Sequence, residues 1–146
     1  MKRFLLLFLL LSSFSALTDR VNAAETDESA AARKTAFDLA GAFSNDGFKL
    51  RDGHWSSTIE AGKARVIQVN LYASNAYWFS VGATAPAKKL KISIYDEAGS
   101  ALTADTFAED NKAAAGFSPT SSGPYYVKIE ELDGQPATFC LIYSYK

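Results

Sequence analysis

Hydrophobic and polar residues alternate along two neighbouring segments near the middle of the chain. Residues 77–81 (YWFSV) and residues 90–95 (LKISIY) carry an apolar residue at every second position. This period of two is typical of half-buried β-strands with one face on a core. Asp96 and Gly99 enclose the turn sequence DEAG, in which Asp96 can bond its own backbone and Gly99 can take a positive φ. The pattern therefore predicts two strands, with a turn after the second.

Similar short segments, separated by turn residues, follow one another from residue 48 to the last residue. This spacing predicts an antiparallel β-sandwich of about seven to nine strands. We expect strands over residues 48–59, 65–72, 77–81, 90–95, 100–106, 125–130 and 138–145, and weak pairing over residues 113–119.

The segments between these strands are interpreted as connections. Pro86 cannot donate to a strand ladder, so residues 84–89 are expected to cross between the two sheets. Residues 108–112 read as a polar loop, and residues 132–136 as a turn. The predicted core consists of the inward positions of the strands: Ile67, Val69, Leu71, Phe79, Val81, Leu90, Ile92, Ile94, Val127, Ile129 and Leu141.

An alanine-rich segment precedes the strands and predicts one amphipathic helix, from about Glu25 to about Phe43. Thr26 or Asp27 is suited to cap its start, and Asn-Asp-Gly at residues 45–47 is suited to end it. The apolar side chains that fall on one face at helical spacing predict its buried side: Ala36, Phe37, Leu39, Ala40 and Phe43.

The first 23 residues have the composition of a secretory signal peptide. A basic start (MKR) precedes an apolar run, and small or modest residues stand before Ala24. A membrane anchor is the alternative, but the run is short and is soon followed by Asp19 and Arg20. We therefore expect a signal peptide at residues 1–23, a helical segment at residues 24–47, a β-sandwich domain at residues 48–146, and a periplasmic or extracellular location.

Composition narrows the classes of partner. The chain has 146 residues, of which 48% are hydrophobic, so one core can form without a metal or disulfides. Its formal net charge of -1, with both signs scattered, disfavours nucleic acid and an anionic membrane. No membrane insertion is expected after signal cleavage. Cys140 is the only cysteine, and a buried position in the last strand is favoured over an intermolecular disulfide or a nucleophile.

The sequence offers little catalytic or metal-binding chemistry. His54 is the only histidine, and it stands in no known catalytic motif. Asp105, Glu109, Asp110 and Asn111 are close in sequence, but their spacing is not that of an EF-hand loop. We expect no catalytic site, no metal and no cofactor.

Aromatic residues on the outward strand positions are the remaining candidates for function. Trp78, Tyr95 and Tyr126 alternate away from the predicted core, and Trp55 lies near a turn. Exposed aromatic rings on a sheet bind sugars or protein partners. Trp55, Trp78 and Tyr126 are therefore the predicted binding residues, with coverage of some of them by the helix as the alternative.

The order of several motifs resembles the bacterial pre-peptidase C-terminal domains. The resemblance runs from about Leu50 to the C-terminus and rests on the segments EAGK (60–63), YWFSV (77–81), LKISIYDEAG (90–99), FSP (117–119), GPYYVKI (123–129) and FCL (139–141). It implies a jelly-roll-like sandwich that serves secreted enzymes as a non-catalytic accessory domain. Lys88 and Lys89 stand where that family often has acidic residues, so the resemblance implies no calcium role there.

The functional expectation is a secreted, non-enzymatic binding module that acts alone or with another chain. Its partner would be a protein or a carbohydrate in the cell envelope or outside the cell. The alternative is a small secreted enzyme with an unfamiliar site, or an enzyme inhibitor. An inhibitor would present an exposed loop, for which residues 84–89 and 108–112 are the candidates.

Overall fold

The computed structural model describes residues 25–146, so the predicted signal peptide lies outside the described residues. These residues form one α-helix followed by ten β-strands: α1 (Asp27–Ser44), β1 (Lys49–Leu50), β2 (Trp55–Ile59), β3 (Ala64–Leu71), β4 (Tyr77–Ala83), β5 (Ala87–Tyr95), β6 (Ala101–Leu102), β7 (Asp105–Glu109), β8 (Lys112–Phe117), β9 (Gly123–Gly134) and β10 (Ala137–Tyr145).

The strands form two sheets that pack face to face. The first sheet has the order β1-β10-β4-β8-β7, and β2 also pairs with β10. The second has the order β3-β9-β5-β6. All the named pairings are antiparallel. The predicted antiparallel β-sandwich with one N-terminal helix is confirmed.

The core lies between the two sheets and is built from the inward residues of both. Of the predicted core residues, all are buried except Ile67, which is half-buried against the same cluster. The inward face of the first sheet adds Tyr77 and Tyr143, whose rings contact that of the predicted Phe79. The period-two pattern therefore predicted the inward face correctly.

The strands are more numerous than predicted because two predicted strands are divided. The segment predicted over residues 48–59 is interrupted by a loop in which Gly53 has φ 96°. β1 and β2, on either side of this loop, each pair with β10. The segment predicted over residues 100–106 is likewise divided between β6 in one sheet and the start of β7 in the other.

The expectation of weak pairing over residues 113–119 is wrong. β8 pairs with β4 along one edge and with β7 along the other. Its alanines and glycine gave a weak sequence signal, yet small side chains suit this place, since the Trp78 ring lies over Gly116. Residues 108–112 form the tight β7–β8 hairpin rather than a loop, with Asp110 at φ 50°.

The connection between the sheets is shorter than predicted. Residues 84–86 join β4 in the first sheet to β5 in the second, so the predicted crossing is confirmed. β5 nevertheless begins at Ala87, directly after Pro86, and register shifts between Ala87 and Leu90 accommodate this start. β9 continues to Gly134, so the predicted turn at residues 132–136 is reduced to Gln135 and Pro136.

Helix α1 begins where its capping sequence predicts. The Thr26 hydroxyl accepts a hydrogen bond from the Ser29 backbone N–H at 3.1 Å, and Asp27 and Glu28 lie in the positively polarised first turn. The buried face includes the predicted Ala36 and Ala40 but not the predicted Phe37. It consists of Ala32, Ala36 and Ala40, whereas Phe37 is 42% exposed.

The small side chains of this face explain the difference. Gly82 of β4 lies directly beneath the helix, where a Cβ atom would be 2.4 Å from the Ala36 backbone nitrogen. The helix axis therefore lies too close to the sheet for Phe37 to fit between them. Residues 25–146 contain no helix that is both long and apolar enough to span a bilayer.

Candidate functional site

Trp78 lies on the outer face of the first sheet, and the helix covers it. The Phe43 ring stacks on the indole, with centroids 4.1 Å apart and planes inclined by 7°. The six-membered ring of the indole also lies over Gly116, where a Cβ atom would be 2.8 Å away. The helix therefore covers Trp78, as the alternative interpretation of the sequence predicted.

Trp55 is half-buried at one edge of the core. It stands opposite Leu141 in the β2–β10 ladder and packs on the main hydrophobic cluster. Its indole stacks on the Tyr143 ring, with centroids 5.8 Å apart. Trp55 therefore packs against Tyr143 at the edge of the core and is not a free binding surface.

Tyr126 lies on the outer face of the second sheet, opposite Gln68 on one side and Tyr95 on the other. That sheet face is remote from the helix, which packs on the first sheet. The structure therefore places Trp55, Trp78 and Tyr126 on separate surfaces, and it does not bring them together in one site.

A different set of aromatic residues converges at one end of the sandwich. The ends of β3 and β10, the start of β4 and the β1–β2 loop enclose a pocket of about 330 Å³. We call it the tyrosine pocket; its lining residues are Arg51, Asn70, Tyr72, Asn75, Tyr77, Tyr143 and Tyr145. Its volume lies within the range of ligand sites, about 300–1,000 Å³.

Tyr77 fixes the shape of one wall of this pocket. Its ring is buried, and its hydroxyl accepts hydrogen bonds from the Tyr72 backbone N–H at 2.9 Å and from the Asn75 side-chain amide at 3.2 Å. These bonds hold the turn between β3 and β4, in which Ser74 has φ 73°. The position of Tyr72 is therefore set by the buried Tyr77.

Tyr143 forms the floor of the pocket and is packed on several sides. Its ring contacts Phe79 at 5.2 Å and Tyr77 at 6.1 Å between centroids, in addition to the stack with Trp55. Burial raises the pKa of the Tyr143 phenol, and the neighbouring Arg51 lowers it in part. The phenol is therefore neutral at physiological pH and can donate a hydrogen bond.

Arg51 supplies the charge of the tyrosine pocket. Its guanidinium carbon lies 5.2 Å from the centre of the Tyr143 ring, and its backbone N–H donates to the Tyr143 carbonyl oxygen at 3.0 Å. The ion pairs found among the described residues do not include Arg51, and none of the lining residues is acidic. The guanidinium donors are thus free of any carboxylate partner within residues 25–146.

Tyr72 and Tyr145 present open ring surfaces beside this charge. Their side chains are 64% and 38% exposed, and no aromatic ring among the described residues stacks on either. Asn70 and Asn75 add side-chain amides, which both donate and accept hydrogen bonds. Exposed rings beside a few fixed polar groups are typical of a ligand site.

A second concavity of about 300 Å³ lies on the other side of β4. Trp78, Phe48, Phe117 and Asp105 are among the residues that line it. Its aromatic rings are engaged elsewhere, since Trp78 stacks on Phe43 and Phe117 packs against Tyr125. The tyrosine pocket is the stronger candidate because its rim rings are open and its cation has no ion-pair partner among residues 25–146.

The two segments suggested for an inhibitor are held against the fold. In the β7–β8 hairpin, the Asn111 side-chain amide donates to the Ala83 carbonyl oxygen at 2.5 Å. The connection after β4 is bonded to β10, where the Thr138 backbone N–H donates to the Thr84 hydroxyl at 3.1 Å. Neither segment projects as a free loop.

The residues with nucleophilic or basic chemistry lie apart from the pocket lining. Cys140 is buried on the outer face of β10 beneath the helix, and burial raises its pKa. Its predicted burial is confirmed. His54 is exposed in the loop before β2. Among residues 25–146, no cluster of three or more His, Cys, Asp or Glu side chains is arranged to hold a metal ion.

No protein-family model matches the chain, and no curated protein sequence matches it.

The sequence reasoning missed the residues of the tyrosine pocket. Tyr77 alternates with Trp78, but the predicted core omitted it, and Tyr72, Tyr143 and Tyr145 were given no role. The available signal was the concentration of tyrosine and asparagine at strand ends. Their convergence depends on the pairing of Tyr145 with Tyr77 across the β10–β4 ladder, and local periodicity does not specify which strands pair.

Proposed function

We propose that this protein is an exported, non-catalytic binding domain of the pre-peptidase C-terminal type, and that it holds its ligand in the tyrosine pocket. The observation that carries the proposal is the pairing of open tyrosine rings with an unpaired arginine in one concave site. The pocket rests on buried, mutually packed rings, so it is preformed for a ligand.

The non-catalytic part of the proposal is supported by the environment of the two most reactive side chains. The Cys140 thiol is fully buried, and its raised pKa keeps it protonated. His54 is solvent-exposed and does not line the pocket. A group acting on a bound ligand would have to touch it, and neither of these residues lines the site.

The test is a binding screen of the purified protein by calorimetry, with a panel of oligosaccharides and short peptides as probes. Tyr72→Ala and Tyr145→Ala should each weaken the binding of any true ligand about tenfold or more, since exposed aromatic anchors dominate such sites. Val66→Ala is the matched control, because Val66 lies on the same strand as Asn70 and is 60% exposed. It should leave binding unchanged.

Two results would contradict this proposal. Binding that survives both tyrosine substitutions but is lost in Tyr126→Ala would move the site to the outer face of the second sheet. A measurable turnover that His54→Ala abolishes would show an enzyme. Export is tested separately by N-terminal sequencing of the native protein, which should begin at Ala24; an intact Met1 would contradict it.

A further inference from the structure

We propose that the ligand of the tyrosine pocket is an acidic saccharide, bound through the carboxylate of a uronic acid unit by Arg51. This inference rests on the proposed function and specifies the class of its ligand.

The charge of the pocket favours an anion over a cation or a neutral group. None of the residues that line the pocket with Arg51 is acidic, and the guanidinium forms no ion pair within residues 25–146. The guanidinium carbon lies 5.2 Å from the centre of the Tyr143 ring, a cation–π contact that favours this position of the charge. A planar guanidinium offers parallel N–H donors that match the two oxygens of a carboxylate. A carboxylate is therefore the group that best completes this site.

The rings and amides favour a sugar as the carrier of that carboxylate. Tyr72 and Tyr145 present flat, exposed surfaces on which the C–H face of a pyranose ring can pack. Asn70 and Asn75 offer both donors and acceptors, as sugar hydroxyls do. The Asn75 amide nitrogen already donates to Tyr77, so the Asn75 carbonyl oxygen is the acceptor available to a hydroxyl group.

A peptide with acidic side chains is the competing ligand class. An extended peptide is usually held by backbone hydrogen bonds along a free strand edge. The tyrosine pocket is instead enclosed by strand ends and turns, and its backbone N–H groups at Tyr72 and Arg51 are already bonded within the fold. The site therefore suits a compact polar ring better than an extended chain.

Trigalacturonate and its methyl ester form a matched pair of probes, since they share one sugar backbone and the ester replaces each charged carboxylate by a neutral group that is one methyl larger. Calorimetry with the purified protein should give binding of the acid that is at least about tenfold tighter than binding of the ester. Arg51→Gln should remove this preference. Arg51→Lys, which keeps the charge but loses the parallel donors, should retain only part of it.

Two further variants separate charge recognition from other effects. Lys91→Gln removes one positive charge from the exposed outer face of the second sheet and should leave the binding of the acid unchanged. Tyr72→Ala should weaken the acid and the ester by the same factor, because the ring contacts the sugar face that both share. Near-ultraviolet circular dichroism checks that each variant keeps the packing of its aromatic rings.

The outcomes distinguish this inference from the proposed function. If acid and ester bind equally well and Tyr72→Ala abolishes both, the tyrosine pocket binds the ligand but does not recognise its carboxylate. Binding of the acid that both Arg51 variants retain in full would place charge recognition elsewhere. The proposal of an acidic saccharide would be wrong if trigalacturonate does not bind at millimolar concentration. It would also be wrong if an aspartate-rich peptide binds and trigalacturonate does not. If neither Tyr72→Ala nor Tyr145→Ala weakens the binding of any ligand, the proposed function itself is wrong.

Discussion

Gly82 of β4 faces Ala36 of α1 so closely that a Cβ atom on Gly82 would lie 2.4 Å from the Ala36 backbone nitrogen. The Thr35 Cβ atom and carbonyl carbon would each be 2.7 Å away. A helix backbone therefore rests almost directly on a strand backbone. The helix also contacts β10, through the alanines that pack on Cys140 and Ile142. The helix is thus a third layer over the first sheet.

This contact predicts a large effect for one added methyl group. Gly82→Ala should lower the free energy of unfolding by about 1–3 kcal/mol, because the helix must move away from the sheet to accept the methyl group. Gly41→Ala is the matched control, since Gly41 lies in the same helix with open space around it. It should raise stability by up to about 1 kcal/mol through helix propensity.

Urea denaturation followed by far-ultraviolet circular dichroism measures both variants. A Gly82→Ala protein as stable as the parent would show that the helix does not rest on β4 in solution. Destabilisation of the same size in Gly41→Ala would show that any methyl group in this region is harmful, whatever its contacts.

The ring pair of Phe43 and Trp78 gives a second prediction. Phe43→Ala should uncover the indole and cost about 1 kcal/mol for the ring pair, in addition to the lost apolar burial. On a Trp55→Phe background, the fluorescence of Trp78 should shift to longer wavelength and become more accessible to iodide. Phe37→Ala is the control, because Phe37 lies on the same helix and is 42% exposed.

The spectrum of the Phe37→Ala control should remain that of the parent. If Phe43→Ala leaves the Trp78 spectrum unchanged while Phe37→Ala shifts it, the opposite face of the helix covers the sheet. The sequence-based prediction that Phe37 is buried would then be correct in solution.

The strand pattern carried most of the information about the fold. Alternation in residues 77–81 and 90–95 predicted the inward faces of β4 and β5, because one side of each strand meets the core. β8 was underestimated because Ala113, Ala114 and Ala115 show no alternation. The space above and below β8 is small, and small residues fit it on both sides.

The candidate site was predicted far less well, and the reason lies in pairing between distant segments. Arg51 lies over Tyr143 because β1 pairs with β10. Tyr77 lies near Tyr143 because β4 also pairs with β10. Local periodicity shows which way a side chain points, but it does not show which strand lies beside it. Trp78 and Tyr126 were correctly placed on outward faces, yet these faces belong to different sheets.

Glu131 gives a prediction about pH. Its side chain is buried on the inner side of β9, and neither carboxylate oxygen has a hydrogen-bond partner among the described residues. Burial raises the pKa of this carboxyl above its ordinary value of 4.5, and the nearby Asp133 raises it further. The folded state therefore retains a proton that the unfolded state releases.

Stability from this group is present below the ordinary pKa and is lost as the pH rises through the raised pKa of the folded state. Glu131→Gln should remove that loss, so that the variant is more stable than the parent at neutral pH but not in acid. Urea denaturation at several values between about pH 4 and pH 8 measures this. Glu130→Gln, which changes the half-buried pair with Lys128, should keep the pH dependence of the parent. The same pH slope in Glu131→Gln and parent would contradict the assignment.

Cys140 gives a prediction about chemical reactivity that also tests the helix layer. Its thiol is buried beneath the helix, and burial raises its pKa, so reagents can reach it only when the helix separates from β10. The native protein should react with an aromatic disulfide reagent no faster than this opening allows. It should also run as a monomer on a non-reducing gel.

The control is Ala98→Cys on a Cys140→Ser background, which places a thiol in the exposed turn after β5 and should react at once. Gly82→Ala should increase the reactivity of Cys140, because both residues lie under the same helix; immediate reaction of the parent would show that the helix does not cover β10.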